Sequence, residues 1–317
     1  MMKYKLVMRD DYRKVDHDRL RRVSERIDFV PVRWRDELVN EVKDAHILMG
    51  VGAELREIFG ECRRLMWVQV GGAGVEWALF PEMVKSDVVL TNARGIFSEP
   101  IADHVFAMVL ALTRGLLKAL ANQRKHVWEG FGGQELSGKV MGIVGPGGIG
   151  SAVARRAVAF GMRVVAVRRR PELPLKFADN VWGREGLGTL LRMSDVVAMC
   201  APLTEETRGM IGWGELALMK KTAYLINVGR GEVVDEEALA EFLKEGKIAG
   251  AGLDVFGTRR PPQDSELWDM ENVIMTPHMA GSSPEVQERR TALYCENIRR
   301  FVAGEPMINV VDKRAGY

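Results

Sequence analysis

Cysteine is scarce in this chain of 317 residues: Cys62, Cys200 and Cys295 stand far apart. An odd count without a close pair excludes a disulfide framework and argues against Cys-x-x-Cys redox or zinc chemistry. Each cysteine is therefore expected to be a small buried hydrophobe. The five histidines are scattered, so no ligand constellation forms and no metal site is expected. Charge of one sign is also lacking. The net charge is +2, and the basic runs stop at Arg19-Leu20-Arg21-Arg22 and Arg168-Arg169-Arg170, too mild a bias for a nucleic-acid surface. The longest apolar stretch, near residues 102–120, carries Asp103, His104 and Arg114 and falls short of a membrane span. The first eleven residues read as a short strand broken by charge, not as a signal peptide. These shortages lead us to expect a cytoplasmic protein that engages neither membrane nor nucleic acid.

What the chain does have is length, glycine and alternating apolar segments. Its size suits about two domains, and 47% hydrophobic residues with 33 glycines fit an ordinary α/β protein. Strand-like runs at 4–8, 27–32, 46–49, 65–70 and 88–91 alternate with helical patterns at 16–24, 35–43 and 53–59. They predict a first, smaller domain. A long helix is expected over 99–120, with Pro100 in its first turn and Ile101, Val105, Met108, Val109, Leu112 and Leu116 at helical spacing. Being apolar on more than one side, it is expected to lie between domains or between subunits. Six further strands are expected at 140–144, 163–167, 196–199, 223–227, 250–254 and 273–275, with helices between them. This is the pattern of a doubly wound parallel sheet. An amphipathic helix over 283–302 is expected to return to the first domain.

The most specific signal follows the first of those six strands. Val140 to Val144 runs into Gly145-Pro146-Gly147-Gly148-Ile149-Gly150, and small residues then open a helix. In such a unit the first glycine permits the turn, the second clears room for a pyrophosphate, and the third lets helix and strand pack closely. The competing reading is a glycine-rich turn in another α/β protein. The next strand ends in Arg168, eighteen residues past Gly150, with Arg169 and Arg170 behind it. An acidic residue there would accept bonds from the adenosine ribose, whereas a guanidinium pairs with a 2′-phosphate. NADP(H) is thus expected over NAD(H), the alternative being solvated arginines in an NAD(H) protein.

Ligands of this architecture sit at C-terminal strand ends, and four more ends carry polar groups. Asn227-Val228-Gly229-Arg230-Gly231 could aim Arg230 at an anionic substrate and polarise a carbonyl, or leave it a surface arginine. Asp254 could orient a carboxamide. Thr276-Pro277-His278 supplies a group that exchanges protons near neutral pH. Ala201-Pro202-Leu203-Thr204 is expected to shape the cofactor pocket. In the first domain, Val70-Gly71-Gly72-Ala73-Gly74 could turn backbone N–H groups toward an anion, or be a plain turn.

Taken in order, several segments resemble the D-isomer-specific 2-hydroxyacid dehydrogenase family. They are Gly72-Ala73-Gly74-Val75, Asn92-Ala93-Arg94-Gly95, Glu99-Pro100-Ile101-Ala102-Asp103-His104, Gly138-Lys139 with the 145–150 loop, and Pro202-Leu203-Thr204-Glu205-Glu206-Thr207-Arg208. Asn227-Val228-Gly229-Arg230-Gly231, Gly252-Leu253-Asp254-Val255-Phe256 and Thr276-Pro277-His278 complete the set, which covers nearly the whole chain. The resemblance implies a doubly wound nucleotide domain over 98–282, containing a dimerisation helix, and a smaller flavodoxin-like α/β domain made of 1–97 and 283–317. It also implies a homodimer that reduces a small 2-oxo acid, such as glyoxylate or hydroxypyruvate, to a D-2-hydroxy acid.

The implied roles fall on residues of both domains. Arg230 would bind carboxylate and carbonyl, His278 would protonate the carbonyl oxygen, and the amides of Ala73 and Gly74 would hold the carboxylate. Asp254 would contact the nicotinamide amide. The cofactor would lie on Gly145, Gly147, Gly148, Ile149, Gly150, Pro202, Thr207 and Val228, with Arg168 and Arg169 at its 2′-phosphate. Met49, Gly50 and Trp77 are candidates for limiting substrate size.

One position departs from the family pattern. The glutamate that pairs with the histidine falls on Arg259, which would disfavour imidazolium instead of supporting it. Three readings stay open: Arg259 faces solvent, Asp264 or Glu266 replaces the missing carboxylate, or Arg259 takes a second anionic group. A catalytically weak nucleotide-binding regulator or scaffold is the alternative to an active reductase.

Overall fold

A computed structural model describes residues 3–9, 15–33, 35–258 and 260–316. The chain divides into two units, Met1–Phe97 with Ser283–Tyr317, and Ser98–Ser282. The first is built on β1 (Tyr4–Arg9), β2 (Ile27–Val32), β3 (Ile47–Met49), β4 (Trp67–Gln69) and β5 (Val89–Thr91). All pair in parallel, in the order β2-β1-β3-β4-β5. The strands are short apolar runs because both faces of the sheet are covered. Val7, Leu48, Val68 and Leu90 enter one core, while Leu6, Met8, Ile47, Met49 and Trp67 enter the other.

The second of these faces is closed by the helix Pro284–Ala303, which buries Tyr294 and Ile298 there. Ser283 caps its start by accepting from Val286 N–H, and Gly304, at φ 72°, ends it. The chain then returns alongside β5. Thr91 and Val310 form an antiparallel bridge, Val311 N–H donates to the Leu90 carbonyl at 2.8 Å, and the Val311 side chain enters the first core. The last segment is therefore structurally part of the first unit.

The second unit contains β6 (Val140–Val144), β7 (Arg163–Val167), β8 (Asn180–Trp182), β9 (Val196–Met199), β10 (Tyr224–Asn227), β11 (Gly250–Leu253) and β12 (Val273–Met275). They form one parallel sheet in the order β12-β11-β10-β9-β6-β7-β8. The chain builds outward from β6 to β8, then jumps back to lay β9 on the other side of β6. That reversal is where a doubly wound sheet opens a crevice at its carboxyl edge.

Two expectations about this unit need correction. Its sheet has seven strands and not six: the edge strand β8 has only three residues, with Asn180 exposed and Val181 and Trp182 half-buried, too short a run to announce it. The helix expected over 99–120 is two helices, Ser98–Thr113 and Leu116–Arg124, bent by 67°. Gly115 sits between them at φ 67°, and a Cβ there would come 2.6 Å from the Phe131 ring. The first helix buries Ala102, Val105, Met108 and Val109 in the unit's own core. It lies close on β11, since a Cβ at Gly252 would stand 2.9 Å from the Met108 sulfur. The second helix buries no residue.

Among the described residues no single helix is long and apolar enough to cross a membrane. The three cysteines are partly covered, not fully buried, and form no disulfide. Burial pushes the Cys62 thiol to about 11 and the Cys200 thiol to about 12, which keeps both protonated and unreactive.

Candidate active site

The strand, turn and helix expected around the glycine motif are present. β6 ends at Val144, and the helix Gly148–Ala159 begins after a turn closed by Gly147 N–H donating to the Gly145 carbonyl at 2.8 Å. Gly145 holds φ 82°, and a Cβ on it would lie 2.5 Å from Ala201 Cα. No side chain is tolerated there on either ground. A Cβ on Gly150 would come 2.9 Å from the Ile143 side chain, so this glycine sets the helix-to-strand distance. Gly147 and Gly148 begin the helix, whose first N–H groups lack partners within it. The result is a cradle shaped for a pyrophosphate.

The same edge of the sheet gathers the other expected residues. Arg168 follows β7 and is half-buried, with its N–H on the Trp182 carbonyl at 3.0 Å, while Arg169 and Arg170 are exposed. After β9, Thr207 Oγ1 donates to the Pro202 carbonyl at 2.6 Å and accepts from Thr204 N–H at 2.8 Å, fixing that loop. After β10, the buried Asn227 closes the turn that presents Arg230. Its Nδ2 donates to the Arg230 carbonyl at 3.0 Å, and its Oδ1 accepts from Gly229 N–H at 3.1 Å. Val228 is buried within this turn. A guanidinium N–H of Arg230 reaches the Gly229 carbonyl at 2.8 Å.

Glycines join these loops into one continuous surface. A Cβ on Gly229 would meet the Ala201 carbonyl at 2.8 Å, and one on Gly231 would overlap the Phe256 carbonyl carbon at 1.8 Å. The loops after β6, β9, β10 and β11 are therefore in direct succession, which carries the Arg230 turn to the edge that bears the dinucleotide cradle.

Asp254 is only 2% exposed, and its carboxylate organises the turn that bears His278. It accepts from Thr276 Oγ1 at 2.6 Å, Met279 N–H at 2.9 Å and Ala280 N–H at 3.0 Å. The Thr276 hydroxyl, having donated to Asp254, accepts from His104 Nε2 at 3.0 Å. His278 itself is exposed and takes a left-handed φ of 52°, a conformation that a loosely held non-glycine residue rarely keeps. The sequence points to Asp254 at the cofactor, and to Asn227 and His104 as parts of longer segments, but to none of these bracing roles. Asn227 braces Arg230 from within one turn, whereas Asp254, Thr276 and His104 come together from elements far apart in sequence.

In the first unit, residues 71–74 follow β4. Ala93 N–H donates to the Gly72 carbonyl at 2.8 Å, and Asn92 Nδ2 donates to the Ala73 carbonyl at 2.8 Å. In a planar trans peptide the next N–H points opposite to the carbonyl. Two carbonyls held toward residues 92–93 therefore send the Ala73 and Gly74 N–H groups together the other way. Among the described residues of this unit neither N–H donates to another group, and both residues are half-buried. Paired N–H groups of this kind form an anion-binding concavity.

Met49 is buried in the second core of the first unit, and Trp77 is exposed on a short helical turn, Glu76–Ala78. Glu266 is engaged by Lys244 at 2.7 Å on the exposed surface. Arg259 lies outside the described residues.

Residues 106–280, more than half of the chain, match the model of the D-isomer specific 2-hydroxyacid dehydrogenase NAD binding domain. The chain belongs to this family. Among its relatives, the glyoxylate reductase of Korarchaeum cryptofilum is 37% identical over 88% of this chain and 89% of its own length. The glyoxylate reductase of Thermococcus litoralis is 38% identical over 87% and 86%. A solved D-isomer specific 2-hydroxyacid dehydrogenase from Xanthobacter autotrophicus Py2, in complex with NADPH and MES, superposes with a TM-score of 0.86. It is 31% identical, covering 99% of this chain and 100% of that one.

Proposed function

We propose that this protein is an NADPH-dependent reductase that converts a small 2-oxo acid of the glyoxylate or hydroxypyruvate type to its D-2-hydroxy acid. The observation that carries this reading is the continuous edge of the second unit. The glycine cradle, the turn-mounted guanidinium and the braced histidine follow β6, β10 and β12, alternate strands of that edge, which supports this reading. Gly145, Gly147, Gly148, Ile149 and Gly150 would hold the pyrophosphate, with Pro202, Thr207 and Val228 lining the cofactor's path and Asp254 near its nicotinamide end. Gly145 fits this role because the tight turn that opens the cradle has a left-handed φ of 82° and leaves no room for a side chain against Ala201. Arg168 and Arg169 would pair with the 2′-phosphate, giving NADP(H) precedence over NAD(H).

When bound, the nicotinamide supplies a hydride. The chain's own residues do the rest. The Ala73 and Gly74 amides hold the substrate carboxylate, Arg230 stabilises negative charge developing on the carbonyl oxygen, and His278 delivers the proton to that oxygen. The first unit's strand order, 2-1-3-4-5, supports reading it as a flavodoxin-like substrate domain. The exposed Leu116, Leu120 and Trp128 fit a homodimer contact around the helix Leu116–Arg124. Three free thiols suit a cytoplasmic setting.

The test is loss of NADPH absorbance on addition of glyoxylate, hydroxypyruvate or pyruvate. The expected result is turnover of at least one, with NADPH preferred to NADH. Tight NADPH binding without turnover of any 2-oxo acid would assign the chain a non-catalytic nucleotide-binding role instead.

A further inference from the structure

The pair of amides at Ala73 and Gly74 owes its direction to residues that lie far from it in sequence. Asn92 is 3% exposed. While its Nδ2 holds the Ala73 carbonyl, its Oδ1 accepts from Arg94 N–H at 3.1 Å, so the side-chain amide cannot rotate without breaking one bond or the other. The Asn92 backbone is fixed in turn by the segment that follows the C-terminal helix. Asn92 N–H donates to the Asn309 carbonyl at 3.1 Å, and Asn309 Nδ2 donates to the Arg94 carbonyl at 2.7 Å and the Asn92 carbonyl at 3.4 Å. Asn309 holds φ 59°, a conformation asparagine tolerates better than most residues. It sits beside the Thr91–Val310 bridge. The chain of contacts thus runs from Asn309 through Asn92 to the Ala73 carbonyl, and across one rigid peptide plane to the Gly74 N–H.

We infer that Asn92, clamped by Asn309, is a positioning residue for the substrate carboxylate. It does not itself touch the substrate; it aims the Gly74 N–H from behind. This inference rests on the reading of residues 72–74 as the carboxylate cradle. The substitution Asn92→Asp keeps shape and the bond from Arg94 N–H but replaces the donor facing the Ala73 carbonyl with an acceptor. It is expected to raise KM for glyoxylate by about 10- to 100-fold while kcat falls less than about threefold and NADPH affinity holds, the pattern of lost substrate binding. Asn309→Gly keeps the left-handed backbone and removes only the side-chain amide, and is expected to raise KM by about two- to fivefold.

Backbone-amide NMR of the NADPH-loaded protein, with oxalate as the probe, separates the two levels of the argument. A Gly74 amide that responds to oxalate in the parent and loses that response in Asn92→Asp supports the inference. Equal responses, or KM unchanged in both variants, overturn it and leave the cradle reading standing. A Gly74 amide silent to oxalate in the parent protein overturns the cradle reading and the inference with it. Should Asn92→Asp fail to fold, the Asn309→Gly variant decides on the same two readouts.

Discussion

The loop after β4 and the loop after β6 both present backbone N–H groups at the carboxyl end of a parallel strand, yet they are built on opposite plans. In the second unit the loop flows into the twelve-residue helix Gly148–Ala159, so the anion site is the helix's own N-terminus and glycine is required for steric room. In the first unit only the three-residue turn Glu76–Ala78 follows. No helix of useful length is available, and a Cβ on Gly72 would meet nothing closer than the Gly74 carbonyl at 3.7 Å. There the shape comes from carbonyls held in place by a neighbouring segment. One site is therefore vulnerable through its glycines and the other through its distant braces.

The largest test of that contrast is Gly145→Val. A side chain at φ 82° and 2.5 Å from Ala201 should raise the NADPH Kd on the order of 10³-fold, read by fluorescence titration. Next is Arg230→Gln, which removes the guanidinium but leaves the cradle intact. It should lower kcat/KM for the 2-oxo acid by about 10²- to 10³-fold with NADPH affinity unchanged. A matching loss of NADPH binding would show that the Arg230 turn and the cradle are not separable. Arg168→Ala should then weaken NADPH by about tenfold while NADH is unaffected, and the difference should shrink at high salt.

The smallest effect concerns stability and belongs to the first unit alone. His46 is buried, and its Nδ1 accepts from Lys5 N–H at 3.1 Å. Burial, with Arg64 nearby, holds its pKa below the ordinary histidine value. The folded state therefore binds fewer protons at this site than the unfolded chain, so the stability it contributes is complete above the ordinary value and drains away as pH falls. Urea melts from about pH 7.5 to about pH 5 should show a decline that His46→Asn, which keeps an acceptor without a proton to gain, makes shallower. An unchanged slope would place the sensitivity elsewhere.

The same contrast explains what could be read from residues alone. The 145–150 cradle is local: strand, glycines and helix follow one another, and each leaves its mark at fixed spacing. The cradle at 72–74 is not local. Gly72-Ala73-Gly74 could be noticed, but its braces come from Asn92, Ala93 and Asn309, brought near by strand order. The bracing of Arg230 by Asn227 lies within one turn and was in principle visible. Asp254 with Thr276 and His104 spans three elements and was not. The break at Gly115 leaves no mark because the apolar spacing persists on either side of it, and hydrophobic periodicity reports burial but not the direction of the axis. β8 is silent for the converse reason, since a three-residue, partly exposed edge strand has too short a burial pattern to report.

The late return of the chain to the first sheet has a consequence for synthesis. Translation proceeds at about 5–20 residues per second, so the residues of β1 to β5 emerge on the order of ten to forty seconds before those of the helix Pro284–Ala303. During that interval the sheet face that will receive Tyr294 and Ile298 is covered by its own chain only through Val15 and the short helix His17–Arg21, which buries Leu20 there. The intervening unit, which ends at Ser282, is synthesised in the meantime. The first must wait, open to chaperones and to mispairing with other nascent chains, until its missing helix leaves the ribosome.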